Sequence, residues 1–327
     1  GPETLMADTG APESVLVVGG AGFIGSHIAA AFARRGVRVS VLDGFLSESA
    51  REANLAPVAD RVQLIRARIE EYPDVPDLIR GSSLTVDCMG LTGHHIGMAE
   101  PLRDLELNLR SHLVLIEALR KVGGARVIYL GSRGQYGRAG ADPITEETQQ
   151  VPLDPQGVHK LAAEGLFRLY SGRNEFHAVS LRVSNTFGEY QRTRGYDLGM
   201  VGSFLRDLLD GRTVTIFGDS SRARSLVYAR DLAEIVVALA ARRWEGFDAY
   251  NVAGCPVELG TLMDALVAAV GAGAWKVEPF PERLKQIDVG EAFISQDKLV
   301  RALGSVPSTA LATALSKTVD YFRSDDR

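Results

Sequence analysis

Cysteine is scarce. Only Cys88 and Cys255 occur in 327 residues, which excludes a disulfide framework and points to a reducing, cytoplasmic compartment. No apolar run approaches the roughly 20 residues of a membrane span, and no secretory signal pattern is present. No Cys/His cluster has metal-ligand spacing, so no metal is expected. Basic runs are missing as well. The 36 Lys and Arg are outnumbered by 41 Asp and Glu, which argues against nucleic acid as the main partner. The opening Gly1-Pro2 reads as the scar of a cleaved tag, and the first dozen residues are left out of fold reasoning.

Glycine, by contrast, is plentiful, and its placement is informative. Val15-Leu16-Val17-Val18-Gly19-Gly20-Ala21-Gly22-Phe23-Ile24-Gly25 carries an apolar run into a glycine turn, and a helix-forming run leaves it. That order sets a dinucleotide pyrophosphate on a helix N-terminus. Gly19 permits the tight turn, Gly22 lets the backbone approach the phosphates, and Gly25 lets the helix pack against the strand. With 34 glycines in the chain, about 0.4 such triplets arise by chance, so context decides. The context is Val37-Arg38-Val39-Ser40-Val41-Leu42-Asp43, an alternating strand that ends in an acid 24 residues after Gly19. A carboxylate there accepts from the ribose hydroxyls and repels a 2′-phosphate, favouring NAD over NADP.

Strands are predicted at 14–19, 37–42, 61–66, 84–89, 125–131 and 177–183. Helices are predicted at 23–35, 98–122 and 157–172, the middle one from Leu102, Leu105, Leu109, Leu113 and Ile116 at helical spacing. Such alternation implies an α/β fold, a doubly wound parallel sheet with helices on both faces. Beyond about residue 186 the pattern loosens into helices near 198–210, 229–242, 259–271 and 309–323, with short strands at 213–217 and 249–252. Residues 12–186 are therefore expected to form a dinucleotide-binding domain, rejoined by parts of about 212–253. Residues 187–327 mainly form a smaller mixed α/β C-terminal substrate lobe, and the glycine-rich 195–202 reads as a loop.

Further motifs carry a family likeness. They are Leu130-Gly131-Ser132-Arg133-Gly134-Gln135-Tyr136-Gly137, Leu181-Arg182-Val183-Ser184-Asn185-Thr186-Phe187-Gly188, and Phe217-Gly218-Asp219 continuing through Arg224 to Asp231. Together with the glycine turn they resemble the extended short-chain dehydrogenase/reductase family, in its NAD-dependent nucleotide-sugar epimerase and dehydratase branch, over about residues 14–323. The resemblance implies a Rossmann fold, bound NAD, a nucleotide-diphosphate sugar substrate, and a homodimer formed through the helices near 98–122 and 157–172. It implies that Gly19, Gly22, Phe23, Ile24, Gly25 and Asp43 hold the cofactor and that Ser132 binds the reacting hydroxyl. Lys160 would hold the nicotinamide ribose, while Asn185 and Arg224, assisted by Lys285, would hold the diphosphate.

The chain departs from that pattern at the proton acceptor. The branch has a Tyr four residues before its Lys, lowered in pKa by the ammonium. Here Gln156 stands four residues before Lys160. A carboxamide orients a hydroxyl or water but accepts no proton. Three readings follow: a substitution that traps substrate, a nucleotide-binding protein that has lost redox chemistry, or an enzyme whose acceptor lies elsewhere. The third is carried forward, with His94 and His95 after the fourth strand as the first candidates, because strand carboxyl ends face the crevice. Lys160 is the next, if burial depresses its pKa; His159 points about 100° away from it on the helix. Arg133 and Gly134 replace the acidic pair of the family's dehydratases, and Arg68 replaces the family's adenine-binding Asp. The leading expectation is an NAD-dependent epimerase, with a keto-sugar reductase or atypical dehydratase as alternatives.

Overall fold

The computed structural model describes residues 10–91, 93–138, 142–195, 198–282 and 293–325, and only the backbone of His94, His95 and Ile96. The chain opens with strand β1 (Ser14–Val18), helix α1 (Phe23–Ala33), β2 (Arg38–Asp43), a 3₁₀ stretch (Glu52–Arg61), β3 (Val62–Arg66), α2 (Val75–Arg80) and β4 (Leu84–Asp87). It continues through α3 (His94–Ala99), α4 (Pro101–Leu105), a π-helical turn (Glu106–Arg110), α5 (Ser111–Val122), β5 (Arg126–Ser132), α6 (Pro155–Ser171) and β6 (His177–Val183). All five residues of β1 are buried, as expected for a parallel strand covered on both faces.

The expected helix over 98–122 differs in detail. Pro101 occupies the first position of α4 and forces Glu100 out of helical geometry, at ψ 64°, so α3 is a separate turn. Leu102, read as part of the buried stripe, is 79% exposed.

The second half begins with β7 (Asn185–Phe187), α7 (Gly199–Leu209), β8 (Val214–Phe217), β9 (Ala223–Tyr228) and α8 (Ala229–Ala240). It then runs through β10 (Phe247–Val252), β11 (Cys255–Glu258), α9 (Leu259–Val270), β12 (Trp275–Glu278), α10 (Asp297–Leu303) and α11 (Leu311–Asp325). The segment read as a glycine-rich loop is thus helical from Gly199 onward.

Seven strands form one parallel sheet in the order β10-β6-β5-β4-β1-β2-β3. The order reverses between β1 and β4, and the carboxyl ends there open a crevice suited to a ligand. Helices α1 and α8 cover one face; α2, α5 and α6 cover the other. β10 returns from the second half to pair with β6 along its whole length. A smaller sheet, β11-β9-β7, and the pair β12-β8 build the second lobe around Leu205, Leu262, Leu266, Leu315 and Phe322. The fold is the doubly wound α/β sheet with a smaller mixed lobe that the sequence predicts.

One buried ion pair joins these parts. The Glu164 carboxylate of α6 accepts two bonds from the Arg182 guanidinium of β6, at 3.0 and 2.7 Å, plus bonds from Ser180 Oγ and Gln135 Nε2. Arg182 also donates to Tyr136 Oη at 2.8 Å, and Tyr136 donates to Asn251 of β10 at 2.6 Å. Both charges are 1% exposed, so each depends on the other for solvation. Tyr136 and Arg182, which belong to the motifs that carry the family likeness, are therefore parts of the core.

Candidate functional site

A cleft of about 820 Å³, counting the space at its mouth, lies over the switch point. Gly19, Gly22, Phe23, Ile24, Gly25 and Asp43 all line it, so six of the sequence-predicted residues converge. Gly19 has φ +77°, and a Cβ there would stand 2.9 Å from the Cys88 backbone. A Cβ on Gly25 would lie 2.2 Å from the Gly19 carbonyl oxygen, so α1 can approach β1 only without one. A Cβ on Gly22 would touch nothing of the protein closer than 3.5 Å, although Gly22 lines the cleft. Its bareness serves no packing purpose and leaves room for a ligand at the start of α1. The first turn of α1 carries no acidic side chain, so nothing there opposes an anion.

Asp43 is buried beside this turn. One carboxylate oxygen accepts from Ala21 N–H at 2.9 Å and the other from Phe45 N–H at 2.7 Å. Burial raises its pKa, and the two backbone bonds oppose that rise. A carboxylate has about four lone-pair sites, so acceptor capacity remains for a diol. The glycine turn, the open start of a helix and this acid match what a dinucleotide needs.

The cleft runs on to Gly90 and Leu91, beyond the end of β4. A Cβ on Gly90 would sit 3.1 Å from Lys160 Nζ. Lys160, on α6, donates to the Leu130 carbonyl oxygen at 3.2 Å and forms no ion pair among the described residues. Burial lowers its pKa from the ordinary 10.5, while the charge of Asp87 acts most strongly against that shift, with lesser help from Asp104 and Cys88. One helical turn earlier, the Gln156 amide donates to Leu91 O at 2.5 Å. That bond fixes the amide and leaves its carbonyl oxygen as an acceptor. Asn108, in the π-helical turn, accepts from Leu91 N–H at 3.1 Å and donates to Asp104 at 2.9 Å. The loop after β4 is thus held from two helices.

Ser132 ends β5. Its Oγ accepts from Gly134 N–H at 3.0 Å, which leaves the hydroxyl proton available for a substrate oxygen. His159 Nδ1 is 2.6 Å from Asp104; like Ser132, Gln156 and Lys160, it is not among the residues that line the cleft. His94 and His95 open α3, and their side chains lie outside the described residues, as does Lys285. Asn185 and Arg224 lie in the second lobe's sheet, on β7 and β9, and Asn185 Nδ2 donates to Ser225 O at 3.3 Å. Tyr190, in the loop after β7, packs between His27 and Tyr321. Sequence reasoning missed Gly90, Asn108, Glu70 and Ser111. Gly90 follows a strand, Glu70 lies in the loop after one, and Asn108 and Ser111 sit on helical turns, and residues of these types in such places are too common to single out.

The fold and the cleft define a dinucleotide-binding α/β protein. A model of the NAD dependent epimerase/dehydratase family matches residues 15–253, and the chain belongs to that family of enzymes. It is 30% identical over 313 residues to a UDP-glucose 4-epimerase of Mycolicibacterium smegmatis, covering 94% of this chain and 98% of that one. It is 27% identical over 324 residues to a dTDP-glucose 4,6-dehydratase of Streptomyces niveus, covering 94% and 92%. The structure of Thermus thermophilus UDP-glucose 4-epimerase in complex with NAD superposes with a TM-score of 0.79 at 30% identity, covering 95% of this chain and 99% of that one. A UDP-N-acetylglucosamine 4-epimerase from Methanobrevibacter ruminantium shares the fold with a TM-score of 0.86 at 22% identity, covering 96% and 99%. Among the described residues no helix is long and apolar enough to cross a membrane.

Proposed function

We propose that this protein is a nucleotide-sugar epimerase that uses bound NAD to oxidise a sugar hydroxyl transiently and then restore it on the other face. The observation that carries the reading is the continuity of the cleft. It starts at the glycine turn and ends at Gly90, against Lys160. When bound, NAD supplies a hydride acceptor that later returns the hydride. Gly19–Gly25 and the start of α1 hold its phosphates, Asp43 its adenosine ribose, and Lys160 the nicotinamide ribose. Ser132 donates its hydroxyl proton to the sugar oxygen, and the carbonyl oxygen of Gln156 orients the reacting hydroxyl. Asn185 and Arg224 on the second lobe hold the diphosphate, with Lys285 assisting. Arg133 and Gly134 supply no carboxylate to the turn after Ser132, which favours epimerisation over elimination of water.

Gln156 cannot take the proton, so the acceptor in this reading is the His94–His95 pair or Lys160. Rapid mixing with UDP- or dTDP-hexoses, followed by absorbance of the reduced nicotinamide, tests the whole proposal. A transient rise and an epimeric product support it; binding without any rise refutes it. If the double variant His94→Asn, His95→Asn abolishes the transient, the imidazoles are the acceptor; if the transient persists in it and vanishes in a Lys160→Met protein that still binds NAD, the neutral Lys160 amine is. The second reading, a nucleotide-sugar-binding protein without turnover, draws its support from the amide at position 156.

The homodimer is also proposed. Leu102 on α4 and Val158 and Leu169 on α6 are 79%, 49% and 53% exposed. These apolar side chains lie on the two stretches through which the family likeness implies pairing.

A further inference from the structure

The loop between β2 and the 3₁₀ stretch forms one wall of the cleft, through Leu46, Ser47, Ser49 and Ala50. Within its own lobe this loop is tied to the glycine turn. Arg51 N–H donates to the Ala21 carbonyl oxygen at 3.1 Å. Asn54 Nδ2 bridges that same oxygen and the Ser49 carbonyl oxygen, at 2.9 and 2.8 Å. The Arg51 side chain reaches the other lobe instead, and its guanidinium donates to the Asp325 carboxylate at 2.6 Å.

Asp325 is the last residue of α11. Leu315, Val319 and Phe322 bury that helix in the core of the second lobe, so its end is a firm support. The second Asp325 oxygen accepts from Thr193 Oγ1 at 2.5 Å. Thr193 lies in the loop after β7, where Arg192 pairs with Glu48 of the cleft wall. The carboxylate is thus where three segments meet, and Arg51 is 274 positions away from it. Its side chain is 21% exposed, which partly shields the pair from salt. Bonds from Arg51 and then Thr193 hold its pKa below the usual carboxylate range, so it is charged at neutral pH. A ligand seated on the glycine turn lies beside this wall, and outward motion of the wall breaks both Arg51–Asp325 and Glu48–Arg192. Contacts of that kind act on residence time more than on chemistry.

We propose that Asp325 is a clasp for the bound dinucleotide: from the second lobe it holds the loop after β2 against the cleft and slows cofactor release. The inference rests on the NAD reading. It adds to that reading a residue outside the cleft lining, which acts through Arg51 and is therefore a positioning residue.

The test is the rate of cofactor release from the full-length protein. Protein loaded with NADH is mixed with excess NAD in a stopped-flow instrument, and the loss of bound-nicotinamide fluorescence gives the rate. Asp325→Ala removes one partly exposed ion pair and one hydrogen bond to a charged acceptor, and is expected to release NADH about threefold to tenfold faster. The double variant Arg51→Asp, Asp325→Arg reverses the pair and is expected to bring the rate back toward that of the wild type. An unchanged rate in Asp325→Ala overturns the inference. Faster release that the reversed pair fails to slow overturns it as well, because the effect then comes from a disturbed helix end. If the wild type binds no NADH at all, the NAD reading itself fails, and the clasp with it.

Discussion

Adding one methyl group to either of two glycines in the turn separates ligand contact from packing. At Gly25 the new Cβ would lie 2.2 Å from the Gly19 carbonyl oxygen, 2.8 Å from Gly20 Cα and 2.9 Å from Gly19 carbonyl carbon. All three are backbone atoms, so no side chain can swing aside. Ordinary contact begins at 3.4 Å, and α1 must therefore retreat from β1 by about 1.2 Å. Overpacking of that kind costs about 1–3 kcal/mol, a melting-temperature loss of several degrees for a chain of this size. The retreat also moves the helix start away from the phosphates, and NAD affinity is expected to fall by at least about tenfold. At Gly22 the arithmetic reverses. Its φ of −76° suits alanine, and the nearest protein atom would be 3.5 Å from the new Cβ. Gly22→Ala is expected to melt at the wild-type temperature or above while losing NAD, because the methyl occupies the cleft. Calorimetric melting and NAD titration of both variants give the readout. A Gly22→Ala protein that binds NAD normally, or a Gly25→Ala protein that melts and binds like the wild type, refutes the assignment of these glycines.

Four further outcomes are expected. Glu164→Ala strands the Arg182 guanidinium in the core and should cost about 3–5 kcal/mol, measurable by chemical denaturation. Burial works to raise the Glu164 pKa, yet the bonds and charge of Arg182, with Gln135 and Ser180, bring it below 4.5; its contribution to stability is therefore complete above that pH and is lost as acid protonates it, so acid unfolding should begin at a higher pH once the pair is weakened by Arg182→Lys. Burial raises the Asp43 pKa above 3.8 in the free protein, and ribose hydroxyls favour its ionised form; NAD should bind more weakly as pH falls through that raised value, and Asp43→Asn should bind weakly at every pH. Leu102→Glu places a charge on the apolar surface of α4 and should give a monomer in sedimentation velocity while retaining NAD binding; an unchanged sedimentation coefficient from a dimeric parent removes α4 from the interface.

The first 183 residues were the more legible half. Continuous apolar runs such as Val15–Val18 and the glycine turn specify buried parallel strands, and the predicted ends lie within two residues of the observed ones. Alternation of strands with helices then determines the layers. The second half was harder because its strands are short and half exposed. Neither Cys255–Glu258 nor Trp275–Glu278 contains a buried residue, so no periodic signal exists to find. At the site, residue type announced Gly19, Gly22, Gly25 and Asp43, since each has a conformational or electrostatic reason to be what it is. Gln156 was legible as a departure, but its bond to Leu91 depends on two segments 65 positions apart. Glu70 lines the cleft two residues after Arg68, but its bond to Ser111 joins positions 41 apart and leaves no local signal.

The return of β10 to the large sheet has a consequence for how the molecule is made. The ribosome releases β6 more than sixty residues before the strand that will cover it. During that interval Ala178 to Val183, every one buried in the finished protein, line an uncovered edge with unpaired backbone groups. Such an edge is a template for any extended segment nearby. A gene truncated near residue 186 would make that brief condition permanent, and its product should collect in inclusion bodies rather than fold as a separate nucleotide-binding half.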